Sequence, residues 1–273
     1  MSTRPELRSP APSGFGDIRE SLCRWPLWFT LGRYDFWLQH RRATLGPLWL
    51  TVQAALWTAG LSLIFGATLH RDDPVAIAYI TTGLVLWNLI AAAFSEGVQT
   101  FVQRAEILRS VNAPLMTLAL RKMVVLLCRF ACQFPLIPLV LLGLALTGRP
   151  TLWPSMWVIP GLALLILNLA WLVLLMGLIG CRFRDTSYLV SSAMRFLFFV
   201  SPVFWKPEAI GPDRAFLAEF NPLTYALEIV RAPLLGHPPS PTAWSVGLTA
   251  LLLGGSFSLL LFRRYRNALV FWV

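Results

Sequence analysis

A chain of 273 residues that is 56% hydrophobic and only 13% charged has too little polar surface for a soluble domain of average make-up. Its 23 Lys and Arg outnumber 13 Asp and Glu, giving net +10. These cations sit in short stretches beside apolar segments, where they orient membrane helices, so no nucleic-acid partner is expected. The expected class is an all-α polytopic membrane protein.

Residues 1–24, rich in Pro, Ser, Gly and Arg, predict a flexible tail. Residues 1–47 hold no short apolar core followed by a small-residue cleavage site, so no cleavable signal peptide is expected. Residues 25–47 change character. Leu27, Leu31, Tyr34 and Leu38 share a helical face with Trp37, while Arg33, Asp35, Arg41 and Arg42 supply charge. Phe29 and Phe36 make the amphipathicity partial. Aromatics mixed with arginine suit a helix lying in the membrane interface, with a plain juxtamembrane anchor as the alternative.

Six spans follow, at about residues 48–69, 75–95, 123–146, 155–180, 188–204 and 242–262. An even count puts both termini on one side. Sixteen basic residues fall on that side and five on the other, so both termini are expected in the cytoplasm. In the loop at 96–122, Val98, Phe101, Val102, Ala105 and Leu108 fall on one helical face, with Gln99, Gln103, Glu106 and Arg109 mostly off it. Asn112-Ala113-Pro114 ends that run. A short amphipathic helix there could dock a soluble partner; alternatively it is the end of the second span lying on lipid.

The segment at 205–241 is neither loop nor crossing. Pro202, Pro207, Pro212, Pro222 and Pro233 cut the region into short pieces, because an interior proline lacks the N–H donor and clashes with the preceding turn. Asn221-Pro222 reads as N-cap plus first helical residue, and Pro233 with Gly236 closes that helix. Helices of about ten residues cannot span, so they are expected to be re-entrant, in a place where protein or an aqueous cavity covers their broken backbone.

Arg129 and Arg195 lie about 10 Å inside their spans. They either snorkel or line the interior near an anionic head group. Asn88 and Asn168 are expected to bond between helices, and Glu96 is placed to pair with Arg129. No Asp or Glu falls in the middle of a span, which argues against ion coupling. There is no G-x-x-x-x-G-K-S/T phosphate loop, no nucleophile–base pairing and no metal-ligand set; Cys128 and Cys132 read as buried small apolar residues. Aromatics run through the spans, among them Trp57, Trp87, Phe94, Trp171, Phe198 and Trp205. Each alone fits packing or the interfacial belt, while together they suit the apolar C–H faces of sugars.

RRATLGPLW, GLVLWN, EILRSVNAPL, CRFRD, SPVFW, NPLTYALEIVRAPLLG and the terminal RRYR stand in one order along nearly everything after residue 30. In that order they resemble the membrane subunit of ABC-2 type exporters of surface polysaccharide, the permease class for O-antigen, capsule and teichoic acid. The chain departs from the pattern at Gln39-His40, where a basic residue and tyrosine are commoner. The resemblance implies a homodimer in the bacterial inner membrane above two ATPase subunits. ATP and magnesium would be held by those partners, with no cofactor in this chain. It further implies an interface helix at 27–42, a coupling helix at 104–112 and a re-entrant outer gate at 207–236.

The site residues that follow are Arg104, Glu106, Leu108, Arg109 and Asn112 for coupling; Pro202, Pro207, Asn221, Pro222 and Pro233 for the gate; and Arg41, Arg42 and Arg129 for the lipid head group. Trp57, Trp87, Phe94, Trp171, Phe198 and Trp205 would line the path. The implied cargo is a glycan on a polyprenyl diphosphate lipid. Alternatives are an ABC-2 permease for a drug or small lipid, a membrane enzyme acting on polyprenyl-linked sugars, and a purely structural subunit.

Overall fold

The computed structural model describes residues 14–69, 75–104, 114–147, 153–211 and 216–272. Helix α1 spans Gly14–Cys23, α2 Trp25–His40, α3 Leu48–Leu69, α4 Ala76–Gly97, α5 Met116–Gln133 and α6 Leu136–Leu146. Then come α7 at Val158–Arg182, α8 at Thr186–Val200, a single turn α9 at Phe216–Glu219, α10 at Pro222–Leu234 and α11 at Pro241–Trp272. Short 3-10 turns lie at Val102–Arg104 and Pro207–Ile210. The described residues contain no strand.

Among the described residues, five stretches are long and apolar enough to cross a membrane: α3, α4, the α5–α6 run, α7 and α11. The expected span at 188–204 is different. Helix α8 has 15 residues and rises about 22 Å, short of a hydrocarbon core of about 30 Å. It stops because Ser201, extended at φ −81°, ψ 146°, precedes Pro202, and a residue before proline is pushed out of the helical region.

Other boundaries also move. The third crossing starts at Met116 instead of 123 and is interrupted by a turn at Phe134 and Pro135, across which Phe134 N donates to Phe130 O (2.8 Å) and Ile137 N to Phe134 O (3.0 Å). The last helix continues to Trp272, ten residues past the expected end. Residues 14–23 form helix α1 where a loose tail is expected, because Asp17 and Ser21 are buried against other elements.

Helix α4 is the hub, packed against α3, α5, α6, α7, α8 and α10. It is apolar all round, as a helix enclosed by others must be. Lipid tails are as apolar as leucine, so helices here associate through close packing and hydrogen bonds between them. Gly83 shows the first: a Cβ there would stand 2.1 Å from Val203 O. The asparagines show the second, as expected. Asn88 Nδ2 donates to Gln133 Oε1 (3.2 Å) and Asn168 Nδ2 to Gly247 O (3.1 Å).

Helices α3 and α8 are left open on one flank. Leu63 is 82% exposed and Tyr188 78%, and only Met194 of α8 is buried. Helix α2 packs on α5 through Gly32, where a Cβ would meet Val124 Cβ at 2.6 Å. Its exposed residues include Leu27, Tyr34, Trp37 and Leu38 together with Arg33 and Gln39, while Asp35 and Phe36 are buried.

Candidate functional site

Three carboxylates organise the basal end, where α4 ends and α5, α8 begin. Asp35, mid-way along α2, accepts two hydrogen bonds from Arg121, Nε at 2.5 Å and Nη2 at 2.6 Å, and a third from Arg104 Nη2 at 2.8 Å. Asp35 and Arg121 are both nearly enclosed. An acid so placed is held by completeness: ion pair geometry plus hydrogen bonds must offset the loss of water. Glu96, in the last turn of α4, accepts from Arg129 Nη1 and from Lys122 Nζ (3.3 Å), and Arg129 Nη2 also donates to Gln39 Oε1 (2.7 Å). The interface-helix candidate, the base of the second span and the third span are thereby tied by charge.

Asp17 of α1 is the third, and is fully buried. Its carboxylate accepts from Leu115 N (3.0 Å), Met116 N (3.1 Å) and Arg266 Nε (2.6 Å). The first N–H groups of a helix lack internal partners, and a negative charge there suits the helix dipole. Asp17 therefore caps α5 from 98 residues upstream while pairing with the end of α11.

Above this collar, Arg129 lines a cavity of about 230 Å³ with Gln53, Trp57, Asn88 and Gln133. Trp57 and Asn88 also belong to a neighbouring cleft of about 610 Å³, where they meet Trp87, Arg195, Phe198 and Phe199. The Arg129 cavity, which Leu50, Leu89, Leu126 and Phe130 also line, and the aromatic cleft thus share a wall, and the cleft lies on the open flank of α3 and α8. Trp87 and Phe198 stand edge to face, centroids 5.8 Å apart.

At the opposite end, Asn221 N-caps α10, its Oδ1 accepting from Leu223 N at 3.0 Å, and its Nδ2 donates to Ser201 Oγ at 2.8 Å. Arg231 is buried, donates from Nη1 to Pro202 O (2.7 Å) and lies 4.2 Å over the Tyr79 ring. The ring attracts a cation that water no longer covers. Tyr79 Oη in turn donates to Trp205 O at 3.2 Å. These bonds pin the segment after α8 onto α4.

The profile of the ABC-2 type transporter family matches residues 26–235. The chain belongs to that family. Relatives include an O-antigen export system permease protein RfbA from Myxococcus xanthus, 25% identical over 201 residues, 73% of this chain and 76% of that protein. Another RfbA permease of O-antigen export, from Klebsiella pneumoniae, is 22% identical over 191 residues, 69% and 72% of the two chains.

In this ABC-2 transporter chain the sequence-predicted residues separate into groups. Of the coupling set, Arg104 is held by Asp35, while Glu106, Leu108, Arg109 and Asn112 lie outside the described residues. Only Val102–Arg104 of the expected amphipathic helix is helical among the described residues. Val98 and Phe101 turn inward and are buried, with Phe101 seated at Gly177 of α7.

Arg41 and Arg42 are exposed past α2 and do not line the cavity of Arg129. Trp57, Trp87 and Phe198 share the cleft. Phe94 and Trp171 line a separate cavity of about 180 Å³, where Trp171 Nε1 donates to Asn168 Oδ1 at 3.0 Å and its ring fills the space over Gly254. Trp205 is buried, its indole donating to Phe199 O at 3.0 Å. Pro202 supplies a carbonyl to Arg231, Pro207 opens a 3-10 turn, Pro222 opens α10, and Pro233 O accepts from Ser155 N at 2.8 Å.

Sequence reasoning missed Asp17 and Arg231 in this ABC-2 chain. A signal for the first existed: GFGDIRESLCR sets Glu20 four residues before Arg24, a helical pairing that closes at 2.7 Å. For Arg231 the signal was Glu228, three residues before it in NPLTYALEIVRAPLLG and on the same helical face.

Proposed function

We propose that this chain is the membrane subunit of an ATP-driven exporter that moves a lipid-linked surface polysaccharide out of the cytoplasm across the bacterial inner membrane. One observation carries this: the cavity lined by Arg129 adjoins the aromatic cleft of Trp57, Trp87 and Phe198, sharing Trp57 and Asn88. A cation beside a run of ring faces suits a substrate with an anionic head and a sugar chain. The names of the relatives support the same cargo class.

Both termini are cytoplasmic in this proposal, and α8 with the turn that follows it makes up a sixth, partial crossing. Helix α2 lies in the interface, its exposed aromatic side toward lipid. The head group enters at Arg41 and Arg42 and reaches Arg129 as Glu96 gives way. Two copies are required, because a cleft of about 610 Å³ on the flank of one bundle does not enclose a polymer. Helices α9 and α10 are re-entrant and form the outer lip. A separate ABC ATPase binds ATP and magnesium and pushes on residues 104–112, since the chain has no phosphate loop of its own.

The test is reconstitution of the chain with its ATPase in liposomes carrying a polyprenyl-diphosphate glycan. ATP-dependent appearance of glycan on the far side supports the proposal, and Glu106→Arg with Arg109→Glu is expected to leave hydrolysis without export. Movement with no nucleotide hydrolysed, or transport of a drug-like amphiphile in place of the glycan, would refute it.

A further inference from the structure

Residues 105–113 lie between two anchors, and both anchors are carboxylates of the N-terminal helices. On the near side Arg104 donates to Asp35 of α2. On the far side Leu115 N and Met116 N donate to Asp17 of α1. Ser21 Oγ donates to the same carboxylate at 3.4 Å and accepts from Thr117 Oγ1 at 3.2 Å, so the first turn of α5 has two attachments to α1. Arg266, near the end of α11, completes the shell of Asp17 and is itself buried.

We infer that Asp17 is a positioning residue for the loop at 105–113, and that it makes the end of α11 part of the element the loop moves. A helix start is ordinarily capped by its own neighbour in sequence, a Ser, Thr, Asp or Asn one or two residues ahead. Here the N-cap is Leu115, preceded by Pro114, and neither offers a side-chain acceptor. The cap comes instead from 98 residues earlier. The start of α5 therefore cannot shift without either carrying α1 and Arg266 along or exposing two N–H donors and an acid in a water-poor site, which is strongly unfavourable.

A push on the loop is delivered to α1, α2, α5 and the end of α11 as one body, and does not dissipate by bending at residue 114. The inference rests on the coupling role proposed above for residues 104–112.

The experiment uses the full permease–ATPase complex in liposomes and reads three quantities: amide exchange in peptides covering residues 114–118, ATP KM and turnover, and export per ATP hydrolysed. Asp17→Asn retains one acceptor oxygen but no charge. The expected result is faster exchange at Leu115 and Met116, by about tenfold, as loss of a charge-assisted hydrogen bond allows. ATP KM and turnover stay within about twofold while export per ATP falls.

The swap Asp17→Arg with Arg266→Asp restores an ion pair but supplies no acceptor to the two backbone donors, and is expected not to rescue. Rescue by the swap, or a wild-type export ratio in Asp17→Asn, overturns the inference. Should Asp17→Asn fail to accumulate, Asp17→Glu keeps the charge and displaces the carboxylate by one methylene. Partial uncoupling is then expected, and a wild-type ratio again overturns it. If Glu106→Arg with Arg109→Glu also exports normally, the coupling role falls and takes this inference with it. If that pair uncouples and Asp17→Asn does not, only the role of Asp17 falls.

Discussion

Asp35 and Arg121 meet as a bidentate pair, 2.5 and 2.6 Å, across the contact of α2 with α5, and Gly32 brings the two helices close enough for it. The pair sits one turn of α2 from the point where the backbones nearly touch. Charge and close packing therefore fix the same joint, and each is exposed to loss of the other.

Removing one partner of that pair is expected to be costly. Asp35→Ala leaves Arg121 enclosed without its acid, a change of about 3–5 kcal/mol for a buried pair. Asp35→Leu with Arg121→Met is expected to recover much of the loss, since the only guanidinium then left without its acid is the part-exposed Arg104. Thermal unfolding in lipid nanodiscs of Asp35→Leu, Arg121→Met and the double, read as a cycle, checks this. Additive losses would contradict it.

Gly83→Val places a branched side chain where a Cβ alone would stand 2.1 Å from Val203 O and 2.9 Å from Arg231 Nη2. The segment after α8 must move, and a loss of about 1–3 kcal/mol or more is expected from such overpacking. Gly143→Ala, with nothing within 4 Å of its Cβ, is expected to be neutral or slightly stabilising. Comparison of their melting temperatures tests both.

Tyr79 separates two contributions. Tyr79→Phe keeps the ring under Arg231 and removes the donor to Trp205 O, an expected loss of about 1 kcal/mol. Tyr79→Leu removes both and is expected to lose about 1 kcal/mol more, the contribution of a cation–π contact shielded from water. Equal losses would show that the ring contact with Arg231 contributes nothing.

The aromatic residues should divide by position. Trp57 is 58% exposed on the open flank, so Trp57→Ala is expected to lower glycan export several-fold with little change in stability. Trp171 is packed between α7 and α11, with Ser258 Oγ donating to its carbonyl at 3.1 Å. Trp171→Ala is expected to destabilise by about 3–5 kcal/mol, as for other packed large aromatics. Surface glycan staining set beside thermal stability distinguishes the two outcomes.

Local signals determined much of this molecule. Runs of apolar residues long enough for a bilayer, prolines that end helices, and an asparagine followed by proline act through the backbone of their own neighbourhood. Five of the six expected crossings and the cap of α10 were therefore legible before any fold was known, whereas the stop at Val200, inside the expected span 188–204, was not. The pairing of Glu96 with Arg129 was legible too, because both lie near the same ends of adjacent helices.

What only the tertiary structure decided is which distant residues complete one another. Asp17 is an acid in a basic, proline-rich stretch until α5 and α11 bring it two backbone donors and a guanidinium. Arg231 has Glu228 one turn behind it on α10, but its direct partners are a carbonyl and a ring from two other elements. Which aromatics share a cleft likewise depends on how α3, α4 and α8 are turned against each other. Short-range order is written in residue type and spacing, whereas the satisfaction of a buried charge depends on partners that only packing can bring within 3 Å.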